Sequence, residues 1–399
     1  MIDAKISSVR VVELAGTLPG EPFPRGFPPQ SRPASVYEAF HPGPAGRPTP
    51  AVSRRKTSLY LEIGTTAGVT GRYGPIDQEA VAPLGDGIAA SLLGLDAMAH
   101  GYVWDLLQRG NRHSRHGNRK IAISAVDNAL WDVRGRLLGA PVWQLLGGSG
   151  RPRIPAYAST LGTFHDEGEV ERAAEELLDE GYTAQKWFFA DGPGQGPEGM
   201  DRNVGLVERT RSAVGHRSAL MFDAFMSWDL AYARQWAGRV EQLRPDWLEE
   251  PFPPAAIPAF AQLRASTSIP LATGEHLYDR LDILPFLQQG LIGVLQADPE
   301  WCGGVTELVR MCAMAEPFGV AVMPHGHGIH AALHVVASQS PEVCPRVEYL
   351  FHHMPERHHF EVGTPAPKGG SFALPAAPGF GIELADDRVE TSRELVSAG

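Results

Sequence analysis

Asp223, Glu249 and Glu275 recur at intervals of 26 residues, and each closes a strand-like run. Asp223 ends Ala219-Leu220-Met221-Phe222-Asp223. Glu249 ends Trp247-Leu248-Glu249, and Glu275 ends Pro270-Leu271-Ala272-Thr273-Gly274-Glu275. One strand, one helix and two loops occupy about that length. The spacing therefore places one carboxylate at the same end of three successive strands. Three hard oxygen ligands converging on one point suit Mg²⁺ or a similar cation, one per site. A lone acid is usually a helix cap or a surface group; three at matched positions are not accounted for that way.

The neighbouring runs end in residues of complementary chemistry. Lys186 lies in Ala184–Phe189, and its same-face neighbour two residues on is Phe188. Asp298 closes Leu295-Gln296-Ala297-Asp298, His325 lies in Val322-Met323-Pro324-His325-Gly326, and Glu348 lies in Arg346–Leu350. Adjacent strand ends bring Asp298 within reach of His325. A carboxylate on one imidazole nitrogen fixes the tautomer and raises basicity, which makes an acid/base dyad. The set suits one class of reaction. A cation and Lys186 hold a substrate carboxylate, and His325 removes the proton from the adjacent carbon. Positive charge stabilises the resulting enediolate. A hydroxyl on the next carbon then leaves as water, and Glu348 hydrogen-bonds the substrate.

These residues need a scaffold that presents strand ends in a ring. Eight candidate strands follow residue 150: Ile154–Ser159, Ala184–Phe189, Ala219–Phe225, Trp247–Glu250, Pro270–Glu275, Gly293–Asp298, Ala321–His325 and Arg346–Leu350. Amphipathic stretches such as Glu169–Glu180 and Val305–Phe318 separate them. This alternation predicts an α/β fold with a modified (β/α)₈ barrel. The alternative, an open doubly wound sheet, wants a glycine-rich turn after its first strand, and Leu161-Gly162-Thr163-Phe164-His165 is not one. Before the barrel, Lys5–Val12, Ser58–Ile63 and Val69–Tyr73 read as antiparallel strands. A Pro- and Gly-rich stretch at about 18–55 reads either as a loop or lid, whose Phe23, Phe27, Tyr37, Phe40, Arg25, Arg32 and Arg47 offer ligand contacts, or as a disordered linker. The expected domains are an α+β cap over 1–125 with that lid, a barrel over 126–352, and a C-terminal return to the cap over 353–399.

Composition narrows the class. The 399 residues carry a net charge of −11 and 43% hydrophobic residues. That charge argues against nucleic acid as a partner, and no apolar stretch approaches the length of a membrane span. Three scattered cysteines are too few for a disulfide framework. Met1-Ile2-Asp3-Ala4-Lys5 lacks the layout of a secretion signal, so the expected setting is the cytoplasm.

Weaker signals surround the main set. His276, directly after Glu275, either reaches substrate or hydrogen-bonds between strands. His327 is a candidate substrate contact, whereas His330 and His334 read as structural. His352, His353, His358 and His359 read as part of a solvated C-terminal segment. Arg54-Arg55-Lys56 reads as a solvated run, with Arg55 the alternative contact for a sugar-acid carboxylate or hydroxyl.

Several runs resemble the enolase superfamily in its mandelate racemase branch. They are Ile123-Ser124-Ala125-Val126-Asp127-Asn128-Ala129-Leu130-Trp131-Asp132, Trp247-Leu248-Glu249-Glu250-Pro251, Gly274-Glu275-His276 and Pro324-His325-Gly326. Within the branch, Leu220–Ser227, Trp301-Cys302-Gly303-Gly304 and Pro378-Gly379-Phe380-Gly381 resemble sugar-acid dehydratases of the L-rhamnonate dehydratase type. The resemblance implies a (β/α)₇β barrel with a cap and Mg²⁺ on Asp223, Glu249 and Glu275. It also implies an acid/base dyad of His325 and Asp298, a carboxylate-orienting Lys186, an assisting Glu348 and a homo-oligomer, octameric or smaller. Two departures bear on the reaction. Phe188 stands where many racemases carry a second Lys, and Phe225 where many relatives carry an Asn. With no base for the second face of the carbon, the resemblance points to dehydration of a 2,3-dihydroxy acid. Epimerisation or cycloisomerisation of a related acid is the alternative, and a non-catalytic binding protein on the same fold the remote one.

Overall fold

A computed structural model of the chain describes residues 3–19, 30–40, 53–161 and 168–399. Strands β1 (Ile6–Pro19), β2 (Ser53–Thr65) and β3 (Thr70–Ile76) form an antiparallel sheet with the final strand, Thr391–Ala398. The order runs final strand, β1, β2, β3. β1 and β2 pair from Ile6↔Thr65 out to Pro19↔Ser53. Both ends of the expected lid are therefore sheet. The lid residues Phe23, Arg25, Phe27 and Arg47 lie outside the described residues. Of the described part, Ser31 is buried and its N–H donates to Phe189 O at 3.1 Å, so this segment docks beside a barrel strand.

Eight parallel strands make the second layer: β4 (Arg153–Ser159), β5 (Ala184–Phe188), β6 (Ala219–Asp223), β7 (Trp247–Glu249), β8 (Leu271–Thr273), β9 (Val294–Leu295), β10 (Ala321–Val322) and β11 (Val347–Tyr349). Sheet order follows chain order from β4 to β10, and β11 pairs with the far edge of β4. This is the expected barrel. A short antiparallel strand, β12 (Ser371–Ala373), covers the other edge of β4.

Inside, Tyr157, Ala184, Met221, Trp247, Ala272, Val294 and Met323 pack into one layer, one residue from each successive strand or its end. Side chains alternate along a strand. The next inward residues are therefore Ser159, Lys186, Asp223 and Glu249, one layer closer to the C-terminal ends. The observed strands are shorter than expected at that end. β8 stops at Thr273, β9 at Leu295 and β10 at Val322, so Glu275, Asp298 and His325 stand on the loops that follow. The chain leaves the ladder at Gly274, whose φ of 144° a side chain would resist; an added Cβ would lie 2.7 Å from Leu295 Cδ1.

The helix Gly117–Leu138 runs unbroken through the expected boundary at 125/126, because its two faces belong to different layers. Asp132 accepts from Arg72 N in the cap at 2.8 Å. Asp127 and Asn128 accept from Thr306 N and Val305 N at the start of a barrel helix, each at 2.9 Å. The Ile123–Asp132 motif is thus a clasp and not part of the chemistry. Its partners are the other glycine motifs: Ser124 accepts from Gly303 N at 2.8 Å, and Asp132 from Phe380 N at 2.8 Å. Among the described residues no helix is long and apolar enough to cross a membrane.

Candidate active site

Lys186 is the hub of one half of the site. Its Nζ lies 2.6 Å from Glu249 Oε1, 2.9 Å from Glu348 Oε1 and 3.5 Å from Asp223 Oδ2, and all four side chains are buried. Burial alone would lower the ammonium pKa. The charges of Glu249 and Glu348, then Tyr157 and Asp223, outweigh it and push it well above the ordinary value. Glu348 falls to about 2: burial raises it, but Lys186 and His325 pull harder. Its second oxygen accepts from Gly326 N at 2.8 Å. A Cβ on Gly326 would lie 2.6 Å from Glu348 Cγ, so glycine after His325 is what lets β11 close on this loop.

The other half is built around His325. Its Nδ1 lies 2.8 Å from Asp298 Oδ2, and its Nε2 lies 3.1 Å from Glu275 Oε2. The dyad that spacing predicted is therefore in contact. Burial disfavours the imidazolium, yet Glu275, the Asp298 hydrogen bond and Glu348 together raise His325 to about 10. His276 Nδ1 lies 3.1 Å from Glu250 Oε2 and 3.3 Å from Glu275 Oε1. It rises to about 9, with burial again opposing and Glu250 and Glu275 prevailing.

A cavity of about 360 Å³ opens between the two halves. Asp223, Glu275, His276, His325 and His327 reach it, as does Phe188, whose ring lies 5.2 Å from Lys186 Nζ. Apolar walls come from Leu161, Phe225, Leu350 and Met354. The polar outer wall is Lys56, His353, Glu356 and Arg357, and Trp301 closes the base side. Arg55 is not among the residues that line it. Alternation along β2 turns Arg55 to the opposite face, where its Nη2 donates to Thr391 Oγ1 at 3.1 Å. Lys56 is the member of that basic run on the cavity side.

The buried carboxylates test the fit of a cation. Asp223 is raised to about 7, Glu249 to about 8 and Glu275 to about 7, first by burial and then by neighbouring acids. Lys186 and His325 offset this only in part. A divalent cation at this place would relieve the same repulsion. The three carboxylates do not converge on one point, however. Among the described residues, the set here whose ligand atoms all lie within 4.8 Å of one another is Glu250, Glu275 and His276. Asp223 and Glu249 turn instead to Lys186. The loops holding the acids are conformationally unusual: Phe225, Met226 and Glu250 have φ of 46°, 57° and 38°. Such strain concentrates at functional sites.

Sequence reasoning left Glu250 and Trp301 without roles. Glu250 is buried, accepts from Thr273 Oγ1 at 3.0 Å and faces His276. The adjacent pair Glu249-Glu250 is the available signal, although alternation along a strand turns neighbouring residues to opposite faces. The left-handed backbone at Glu250 breaks that alternation. The C-terminal histidines also differ from expectation. His358 and His359 are buried, and His358 joins His330 on Glu361 at 2.9 and 2.7 Å. The segment packs on the cap, which removes it from solvent.

Known proteins resemble this chain in sequence and fold. The pattern of the family described as "Enolase C-terminal domain-like" matches residues 169–388. That of the "Mandelate racemase / muconate lactonizing enzyme, N-terminal domain" matches residues 44–147. An L-rhamnonate dehydratase from Saccharopolyspora erythraea is 32% identical over 329 residues, covering 80% of this chain and 78% of that protein. A rhamnonate dehydratase from Gibberella zeae, solved complexed with Mg, superposes with a TM-score of 0.82 at 24% identity, covering 97% of this chain and 96% of that one. The 3,6-anhydro-D-galactonate cycloisomerase from Zobellia galactanivorans gives a TM-score of 0.77 at 24% identity, covering 97% and 100%. With both domains matched in order around this ring of strand ends, the chain belongs to the mandelate racemase and muconate lactonizing enzyme family of the enolase superfamily.

Proposed function

We propose that this enolase-superfamily hydro-lyase of the acid-sugar class dehydrates a 2,3-dihydroxy carboxylate to the 2-keto-3-deoxy acid. One observation carries the reading: the imidazole of the His325–Asp298 pair reaches the cavity beside Glu275, while Phe188 fills the position two residues beyond Lys186. Racemisation needs a base on each face of the carbon; water loss needs one.

Lys186 draws the substrate carboxylate to the inner end of the cavity. Asp298 holds His325 Nδ1 and leaves Nε2 to take the C2 proton. Glu275 is the largest charge raising His325. Neutralising Glu275 lowers that pKa toward the range in which an imidazole acts as a base. The same ring then returns its proton to the C3 hydroxyl as it departs. His276, held protonated by Glu250 and Glu275, donates to a substrate oxygen, and Lys56, not Arg55, meets the distal hydroxyls. Asp223, Glu249 and Glu275 are the proposed Mg²⁺ ligands. When bound there, the ion supplies positive charge beside the substrate carboxylate. The relatives' names support a sugar acid as substrate, and the Mg complex of the Gibberella zeae protein supports the choice of ion.

The test is a screen of five- and six-carbon sugar acids for keto-acid product, with chelator added and Mg²⁺ then restored. Product from one acid, lost with chelator and regained with Mg²⁺, is expected. Deuterium exchange at C2 without keto acid would instead indicate an epimerase.

A further inference from the structure

A carboxylate of the capping domain touches two side chains of the cavity wall. Asp77, just after β3, offers its two oxygens to two different barrel loops. Its Oδ2 accepts from Trp301 Nε1 at 2.7 Å, and its Oδ1 lies 2.6 Å from His327 Nε2. Trp301 in turn lies against the site histidines. Its ring centroid is 5.1 Å from that of His325, 4.8 Å from His327 and 5.8 Å from His276. Behind this contact, Arg357 Nη2 is 2.6 Å from Glu300 Oε2 and 3.6 Å from Asp77 Oδ1, and Tyr73 donates to Glu300 Oε1 at 3.1 Å. Glu300 N donates to Asp298 Oδ1 at 2.6 Å, on the carboxylate that holds His325.

We propose that Asp77 is a positioning residue for catalysis: from the capping domain it fixes the Trp301 indole and the His327 ring as the wall against which His325 is aimed. The argument is one of acceptors. An indole has a single donor, and among the described residues the hydrogen bond that Trp301 Nε1 makes is the one to Asp77. His327 Nε2 is held by the other oxygen, which sets that ring's tautomer and orientation. A carboxylate serves both N–H groups at once, whereas an amide has one oxygen and serves one of them. The bland alternative is that Asp77 merely clasps cap to barrel. That role is also carried by Arg357 and Tyr73 on Glu300, which Asp77→Asn leaves in place. The inference rests on the dehydratase reading for its substrate but not for its geometry.

The experiment compares the full chain with Asp77→Asn, Trp301→Phe and the double variant. On the best sugar acid, Asp77→Asn is expected to lower kcat by roughly 10–100-fold, the usual cost of losing an outer-shell partner. KM should change by less than about threefold, and thermal midpoint and Mg²⁺ affinity should hold. Trp301→Phe should show part of this loss, and the double variant less than the product of the two, as for residues acting through one contact. A readout independent of turnover is the indole N–H signal in NMR of ¹⁵N-Trp-labelled protein, assigned by its absence in Trp301→Phe. It should move upfield in Asp77→Asn. An unmoved signal, or full kcat in Asp77→Asn, overturns the proposal. If Asp77→Asn does not fold, full kcat in Trp301→Phe overturns it equally. If the wild type makes no keto acid from any sugar acid, the proposed function fails, and the NMR result alone decides the clamp.

Discussion

Two buried clusters in this molecule combine the same residue types and end in opposite electrostatic states. Where cap, barrel and C-terminal segment meet, Glu361 accepts from Tyr60 Oη at 3.0 Å, His358 Nδ1 at 2.9 Å and His330 Nε2 at 2.7 Å. Burial opposes its ionisation, yet His330 and His358 hold it well below the usual carboxylate range. At the barrel mouth, Asp223, Glu249 and Glu275 share too few donors and are driven up to about 7 or 8. In the structural cluster the buried carboxylate is matched by three donors within the fold. A functional one leaves charge unbalanced for something that arrives later, which is why strongly perturbed acids gather at sites. The contrast separates the two roles better than residue type or burial, since both clusters are fully buried.

The largest expected break in this comparison comes from the ligand side. Glu249→Gln should lower keto-acid formation by about 10³-fold or more and abolish saturable Mg²⁺ binding by calorimetry. Its thermal midpoint without metal should not fall. A destabilised protein that still turned over would place Glu249 among the structural acids. Next, Glu361→Gln should cost roughly 1–3 kcal/mol in urea unfolding, the penalty of leaving buried donors unmet. Activity of the folded fraction should stay within about twofold. Because the folded-state pKa of Glu361 is depressed, its contribution is fully present above the unfolded carboxylate value near 4.3 and is lost progressively as pH falls below it and through the lower folded value. The stability gap between wild type and Glu361→Gln should therefore be present at pH 7 and shrink progressively once pH falls below about 4. A gap that widened on acidification would contradict the hydrogen-bonding scheme. Of similar size, Mg²⁺ at a hundredfold excess over its Kd should stabilise the wild type by about 2.7 kcal/mol and Glu249→Gln not at all. The smallest effect separates neighbours on β2: Lys56→Ala should raise KM by about 3–10-fold, the equivalent of one hydrogen bond, whereas Arg55→Ala should leave KM within about twofold.

What the sequence made legible was whatever repeats or alternates. The interval of 26 residues placed the three acids at successive strand ends, and period-two alternation aligned Lys186 with Asp223 and Glu249. Contact between Asp298 and His325 followed from neighbouring strands. The misreadings arise where alternation fails or where contacts span the chain. Glu250 faces the site because its backbone turns left-handed. Asp77 meets Trp301 and His327 across more than 200 positions, and no local pattern signals that contact. The C-terminal histidines read as solvated because their burying surface belongs to the cap. Arg55 and Lys56 differ only by a register that the Pro-rich segment before them does not set.

The central claim is that His325 alone removes the C2 proton in a site built for water loss. The most direct measurement is turnover of the best sugar acid in D₂O by His325→Asn, following C2 deuterium incorporation and keto-acid formation together, with Mg²⁺ affinity as the fold control. The account predicts that both signals fall by about 10³-fold or more while Mg²⁺ still binds. Keto acid formed at the wild-type rate would contradict it.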